Sequence, residues 1–78
     1  MAGYNGQPLK VKLMKIKFVL ELEWTDKSNV FAEISLEGQN HEVMAVLMWI
    51  SRGALMASNA DRAIVWNDEG FEVCAYQR

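Results

Sequence analysis

MKIKFVLELEW (residues 14–24), the polar turn TDKSN (25–29) and VFAEISL (30–36) decide the fold, because apolar and polar residues alternate through both arms. Met14, Ile16, Phe18, Leu20, Leu22 and Trp24 are apolar at even positions, with Lys15, Lys17, Glu21 and Glu23 between them. Period two is the mark of a strand with one covered and one wet face. After the turn, Val30, Ala32, Ile34 and Leu36 keep the apolar side and Phe31, Glu33, Ser35 and Glu37 take the other. The two arms form an antiparallel hairpin in which Phe31 is the one aromatic on the wet side.

Toward the N-terminus the alternation continues in the opposite phase. Leu9, Val11 and Leu13 are apolar at odd positions, with Lys10 and Lys12 between them. A strand cannot change face without a bulge or break, so one is expected near Leu13–Met14. Either residues 9–13 add a short strand, or the domain proper begins at Met14. Residues 1–8, with Gly3, Gly6 and Pro8, read as a flexible arm ahead of a single domain over 9–78.

Toward the C-terminus, Gly38-Gln39-Asn40 ends the hairpin, and Asn40 is a suitable cap for a helix running from about His41 to Ser58. Gly53 weakens the helix interior, which makes a stop after Arg52 the alternative. Val43, Val46, Leu47, Ile50 and Ala54 recur at three- and four-residue spacing as its core stripe. Met44, Met48 and Leu55 lie to one side of that stripe, and Ala45, Trp49 and Met56 to the other. Residues 63–66 and 71–76 then form strands joined by the turn Asn67-Asp68-Glu69-Gly70. Pairing outward from this turn sets Val65 against Val73 and Ala63 against Ala75, with Phe71 on their covered face. Ile64, Trp66, Cys74 and Tyr76 are left on the outer face. The expectation is an α+β domain of order ββαββ: a small antiparallel sheet of four strands, or five, with one helix on one face.

Seventy-eight residues make one domain with a thin stability margin. A single cysteine, Cys74, allows no internal disulfide and suits a reducing cytoplasm. One Cys and one His, His41, cannot furnish a zinc site, and no cofactor is expected. The longest apolar run, Val43–Ile50, is far below the roughly 20 residues needed to span a bilayer. A net charge of −2 lacks the basic field common in nucleic-acid binders.

Catalytic constellations are not legible. Glu21/Glu23 and Glu33/Glu37 fall on the wet sheet face by alternation, and Asp68/Glu69 belong to a turn. Cys74 reads as a small apolar strand residue, and the glycines serve turns and helix ends rather than a phosphate loop. The chain is therefore read as a binding protein and not an enzyme.

The informative feature is an apolar surplus, 51% of residues, that one helix on a small sheet does not absorb. A ragged core partly covered by the arm with Tyr4 is the plain alternative. Exposed Trp, Tyr, Phe and Met more often mark protein interfaces. Phe31, Ile64, Trp66 and Tyr76 are the expected partner-binding residues, and Met44, Met48 and Trp49 the expected self-association face of a homodimer. A second reading uses Lys10, Lys12, Lys15 and Lys17 to touch nucleic-acid phosphates, although lysines also guard exposed strands against edge pairing.

The apolar helix VMAVLMWISRGALMAS and the hairpin RAIVWNDEGFEVCAY, within Asn40–Tyr76, resemble the plan of small phage-encoded inhibitors. Some anti-CRISPR proteins among these are short, mildly acidic ββαββ domains. The resemblance covers about half the chain, is architectural, and transfers no functional residue. It implies a cytoplasmic inhibitor that occupies a surface of a host complex without catalysis, often as a dimer. The plan is also similar to antitoxin-like domains that bind a toxin or RNA.

Overall fold

The structure is a computed structural model that describes residues 14–78. Strand β1 (Met14–Glu23) and strand β2 (Asn29–Gly38) are followed by helix α1 (Asn40–Ser58), then by β3 (Arg62–Asn67) and β4 (Glu72–Gln77). The strands form one antiparallel sheet in the order β2-β1-β3-β4. The expected α+β architecture of order ββαββ is thus the observed one. The expected strand over residues 9–13, the arm before it, and Lys10 and Lys12 lie outside the described residues.

β1 is antiparallel to both neighbours, so β2 and β3 run parallel on either side of it. Parallel strands cannot be joined by a tight turn, and α1 supplies the crossover between them. The β1–β2 register pairs Phe18 with Ile34, Leu20 with Ala32 and Glu21 with Phe31. The alternation along both ten-residue arms, broken only at Val19 and Phe31, fixes it, since a one-residue slip would turn most of the apolar side chains to water. At the tip, Lys27 adopts a left-handed conformation (φ 75°), and Ser28 N–H donates to Asp26 Oδ1 at 3.0 Å. Asp61 ties this tip to the loop after α1: its carboxylate accepts from Thr25 N–H at 2.8 Å, and its own N–H donates to the Glu23 carbonyl at 3.0 Å.

α1 begins at Asn40 with Gln39 as its N-cap, one residue before the expected cap. The Glu42 carboxylate accepts from Gln39 N–H at 3.2 Å, which satisfies a backbone donor beside the positive end of the helix. The helix passes through Gly53 without stopping and ends at Ser58, where Asn59 turns left-handed (φ 62°). Arg78 closes this end. Its guanidinium donates to the Ala60 carbonyl at 2.8 Å and to the Leu55 carbonyl, one of the last in the helix.

The core lies between α1 and one sheet face. Phe18, Leu20, Ala63 and Val65 of the sheet meet Val43, Leu47 and Leu55 of the helix, with Ala60 completing the cluster. The helix stripe differs from expectation. Val46 is exposed (41%), whereas Leu55 and Ser51 are buried. The stripe follows strict four-residue steps, Val43-Leu47-Ser51-Leu55, and Ser51 enters it because its hydroxyl bonds the Leu47 carbonyl at 2.6 Å. A short back-bonded hydroxyl has no unmet polar need and can be buried against the sheet.

The second hairpin also departs from the expected pairing. Trp66 lies opposite Glu72, but Val65 pairs with Cys74 and Ala63 with Tyr76, because a β-bulge shifts the register between Trp66 and Val65. The extra residue on β4 is Val73. Cys74 and Tyr76 therefore stand on the helix side, packed against the core, and not beside Trp66. Burying a tyrosine ring in place of the Ala75 methyl group removes far more apolar surface from water, which favours the bulged register. The turn is as expected: Gly70 is left-handed (φ 88°), and Asn67 Oδ1 accepts from Glu69 N–H at 3.0 Å and Phe71 N–H at 2.9 Å. Phe71 is exposed rather than covered, since it precedes the strand at the sheet's end.

Candidate interaction surface

The residues expected to bind a partner through one sheet face are divided by the fold. Phe31 is outward on edge strand β2 and 60% exposed. Trp66 is half-buried, and its indole N–H donates to Glu21 Oε1 at 3.1 Å. The other Glu21 oxygen accepts from Asn29 Nδ2 at 3.2 Å, so the carboxylate holds the outer face of β1 to both neighbouring strands. Ile64 is only 5% exposed, at a central position on β3 between its register partners Glu21 and Ala75. Tyr76 lies on the opposite face, where the Arg52 guanidinium sits 5.7 Å from its ring centroid, within cation–π range. The outer sheet face thus presents Phe31 and a half-buried Trp66, not a cluster of all four residues.

The helix carries the larger apolar surface. Taking 100° per residue about the helix axis, the core stripe centres near Leu47 and Ser51. The opposite pole is then occupied by Ala45, Trp49, Arg52 and Met56, all of them exposed. Trp49 shows 75% of its surface and Met56 71%. Met48 flanks them and is exposed, whereas Met44 is half-buried against the core and does not belong to the outer surface. Ala45, Met48, Trp49, Arg52, Gly53 and Met56 line a shallow open groove along the helix. Of the expected self-association residues, the fold thus exposes Met48 and Trp49 and withdraws Met44.

Arg52, Met56 and Ala45 were not singled out for this surface from the sequence, although a signal was available. An arginine seldom lies fully buried, so Arg52 marks the solvent pole, and Ala45, Trp49 and Met56 stand at helical spacing from it.

The chemistry-bearing groups are dispersed. Among the described residues no group of three or more His, Cys, Asp or Glu is placed to hold a metal ion. Burial pushes the Cys74 thiol up from its ordinary value, with lesser effects from its neighbours Tyr76 and Glu72, so the thiolate is scarce at neutral pH. Burial likewise raises the Tyr76 phenol. The exposed Asp26 carboxyl is lowered by its hydrogen bonds from Ser28. His41 is exposed in the first turn of α1. Lys15 and Lys17 are exposed on the outer sheet face, where their partners across the hairpin are Glu37 and Ser35 and where Glu33 also lies. No helix among the described residues is long and apolar enough to cross a membrane. No protein-family model, curated protein or solved structure matches the chain.

Proposed function

We propose that this chain is a non-catalytic module that binds a protein partner and blocks it, in the manner of the small phage-encoded inhibitors, anti-CRISPR proteins among them, that its architecture resembles. One observation carries the reading: the largest apolar side chain of α1, Trp49, points to solvent with Met56 and Met48 while the core is complete without them. Exposing such residues lowers solubility and adds nothing to the core, so their use is contact with another surface. Tryptophan and methionine are enriched at protein interfaces, and buried tryptophan dominates their energetics. Phe31 on the edge strand gives a second contact point on the opposite side of the domain. A protein partner suits these surfaces better than nucleic acid, because Lys15 and Lys17 share their face with Glu21, Glu33 and Glu37 and set up no continuous basic field there. The lone cysteine, which has no partner for an internal disulfide, suits a cytoplasmic setting.

Photo-crosslinking tests the reading. A benzophenone side chain is placed at position 31 or position 49, and irradiation is carried out in the cells that express the chain. The expected result is a covalent adduct with one defined foreign protein from position 31, competed away by unlabelled wild type, and from position 49 an adduct with that protein or with a second copy of the chain. The absence of any foreign adduct at both positions overturns it, and recovery of nucleic acid at position 31 transfers the function to the lysine-bearing strand.

A further inference from the structure

We infer that the outer face of α1 is self-complementary and that two copies of the chain pair through it as antiparallel helices. The inference rests on the reading of this face as an interface and names its occupant, a second copy. Ala45, Trp49, Arg52 and Met56 follow steps of four, three and four residues, the spacing of the seam in a helix pair. A two-fold axis midway between Trp49 and Arg52 sets each residue of this seam opposite a fitting one. Ala45 faces Met56 of the second copy, a small side chain against a long one. Trp49 faces Arg52 of the second copy, a π-face against a guanidinium. Each Arg52 already lies over Tyr76 of its own chain at 5.7 Å and remains exposed, so its guanidinium is held in place for the incoming indole. Antiparallel packing also opposes the two helix dipoles favourably.

Gly53 supplies an independent reason. It lies within a continuous nineteen-residue helix, and a Cβ added there would meet nothing within 4 Å. Among the described residues no neighbour requires its missing side chain, although glycine costs a helix interior roughly 1 kcal/mol relative to alanine. In the pair, Gly53 adjoins the layer where the second copy's Trp49 crosses Arg52, and the missing side chain makes room for the indole.

The area is sufficient for a modest dimer. With about 150–250 Å² carried by an aromatic side chain of this class, the stripe amounts to roughly 500 Å² on each copy. Pairing then removes on the order of 1,000 Å² in total, in the range of weak and transient interfaces, so the dimer is reversible rather than permanent.

The test uses the full chain with Cys74→Ala, carrying either Ala45→Cys or Met56→Cys. Mixed under mild oxidation, the two proteins are expected to form a heterodisulfide in preference to either homodisulfide. Along the axis, positions 45 of the two copies stand about 16 Å apart, beyond the roughly 7 Å that a disulfide spans. Predominant homodisulfides overturn the antiparallel arrangement. Gly53→Gln keeps the test independent of folding: it is expected to raise the thermal midpoint of the monomer while weakening dimerisation at least tenfold, and unchanged dimerisation overturns the packing. A chain that is monomeric at every concentration, yet still crosslinks a foreign protein from position 49, overturns self-pairing and leaves the binding function standing. Loss of both discards the interface.

Discussion

The two faces of α1 reverse the usual allocation of side chains. The inner face keeps a serine wholly out of water, and the outer face leaves a tryptophan three-quarters in it. On the inner face, selection is by fit. Val43, Leu47 and Leu55 fill the space above Phe18, Leu20 and Val65, and Ser51 fits with its hydroxyl returned to the Leu47 carbonyl. On the outer face nothing among the described residues selects for fit, and yet the side chains are large. On the proposed function, stability resides in one face and binding in the other, and substitutions should separate the two.

The largest effect on folding is expected at Leu47. Leu47→Ala removes a fully buried side chain from the centre of the core and should cost about 2–5 kcal/mol by urea denaturation. A loss below about 1 kcal/mol would mean that the inner face is not the core. Arg78→Ala, which frees the Leu55 and Ala60 carbonyls, should cost about 1–2 kcal/mol in the same measurement. Gly53→Ala should stabilise the monomer by about 0.5–1 kcal/mol, because the site is helical and open. Ser51→Ala should change stability by less than about 0.5 kcal/mol, since the Leu47 carbonyl keeps its helical partner. A large loss at Ser51 would show the hydroxyl to be structural and weaken the contrast between the faces.

The same contrast explains what could be read from the sequence. The β1–β2 hairpin was legible because the alternation along two ten-residue arms, despite Val19 and Phe31, admits one register. The helix and its position between two hairpins were legible for the same reason, a long and consistent pattern. β3 and β4 have six residues each, too few to resist a bulge, and the extra residue at Val73 moved Cys74 and Tyr76 to the helix side. No sequence pattern announces such a bulge; it is decided by which side chains the helix can cover. In α1 the surplus of apolar residues was plain, but its rotation about the axis was not. Val46 and Ile50 compete with Ser51 and Leu55 for the inner stripe, and apolarity alone favours the wrong pair. Met44, assigned to the outer surface, packs inward for that reason, and Met56 and Arg52 take the place expected of it.

The measurement that bears most directly on the account is light scattering of the wild type and Trp49→Glu at about 100 μM, where a weak interface of this size should be occupied. The wild type should show twice its chain mass of 8.9 kDa, and Trp49→Glu should show 8.9 kDa with an unfolding midpoint matching that of the dilute wild type. A destabilised Trp49→Glu monomer would contradict the account, because it would place Trp49 among the residues that hold the fold together.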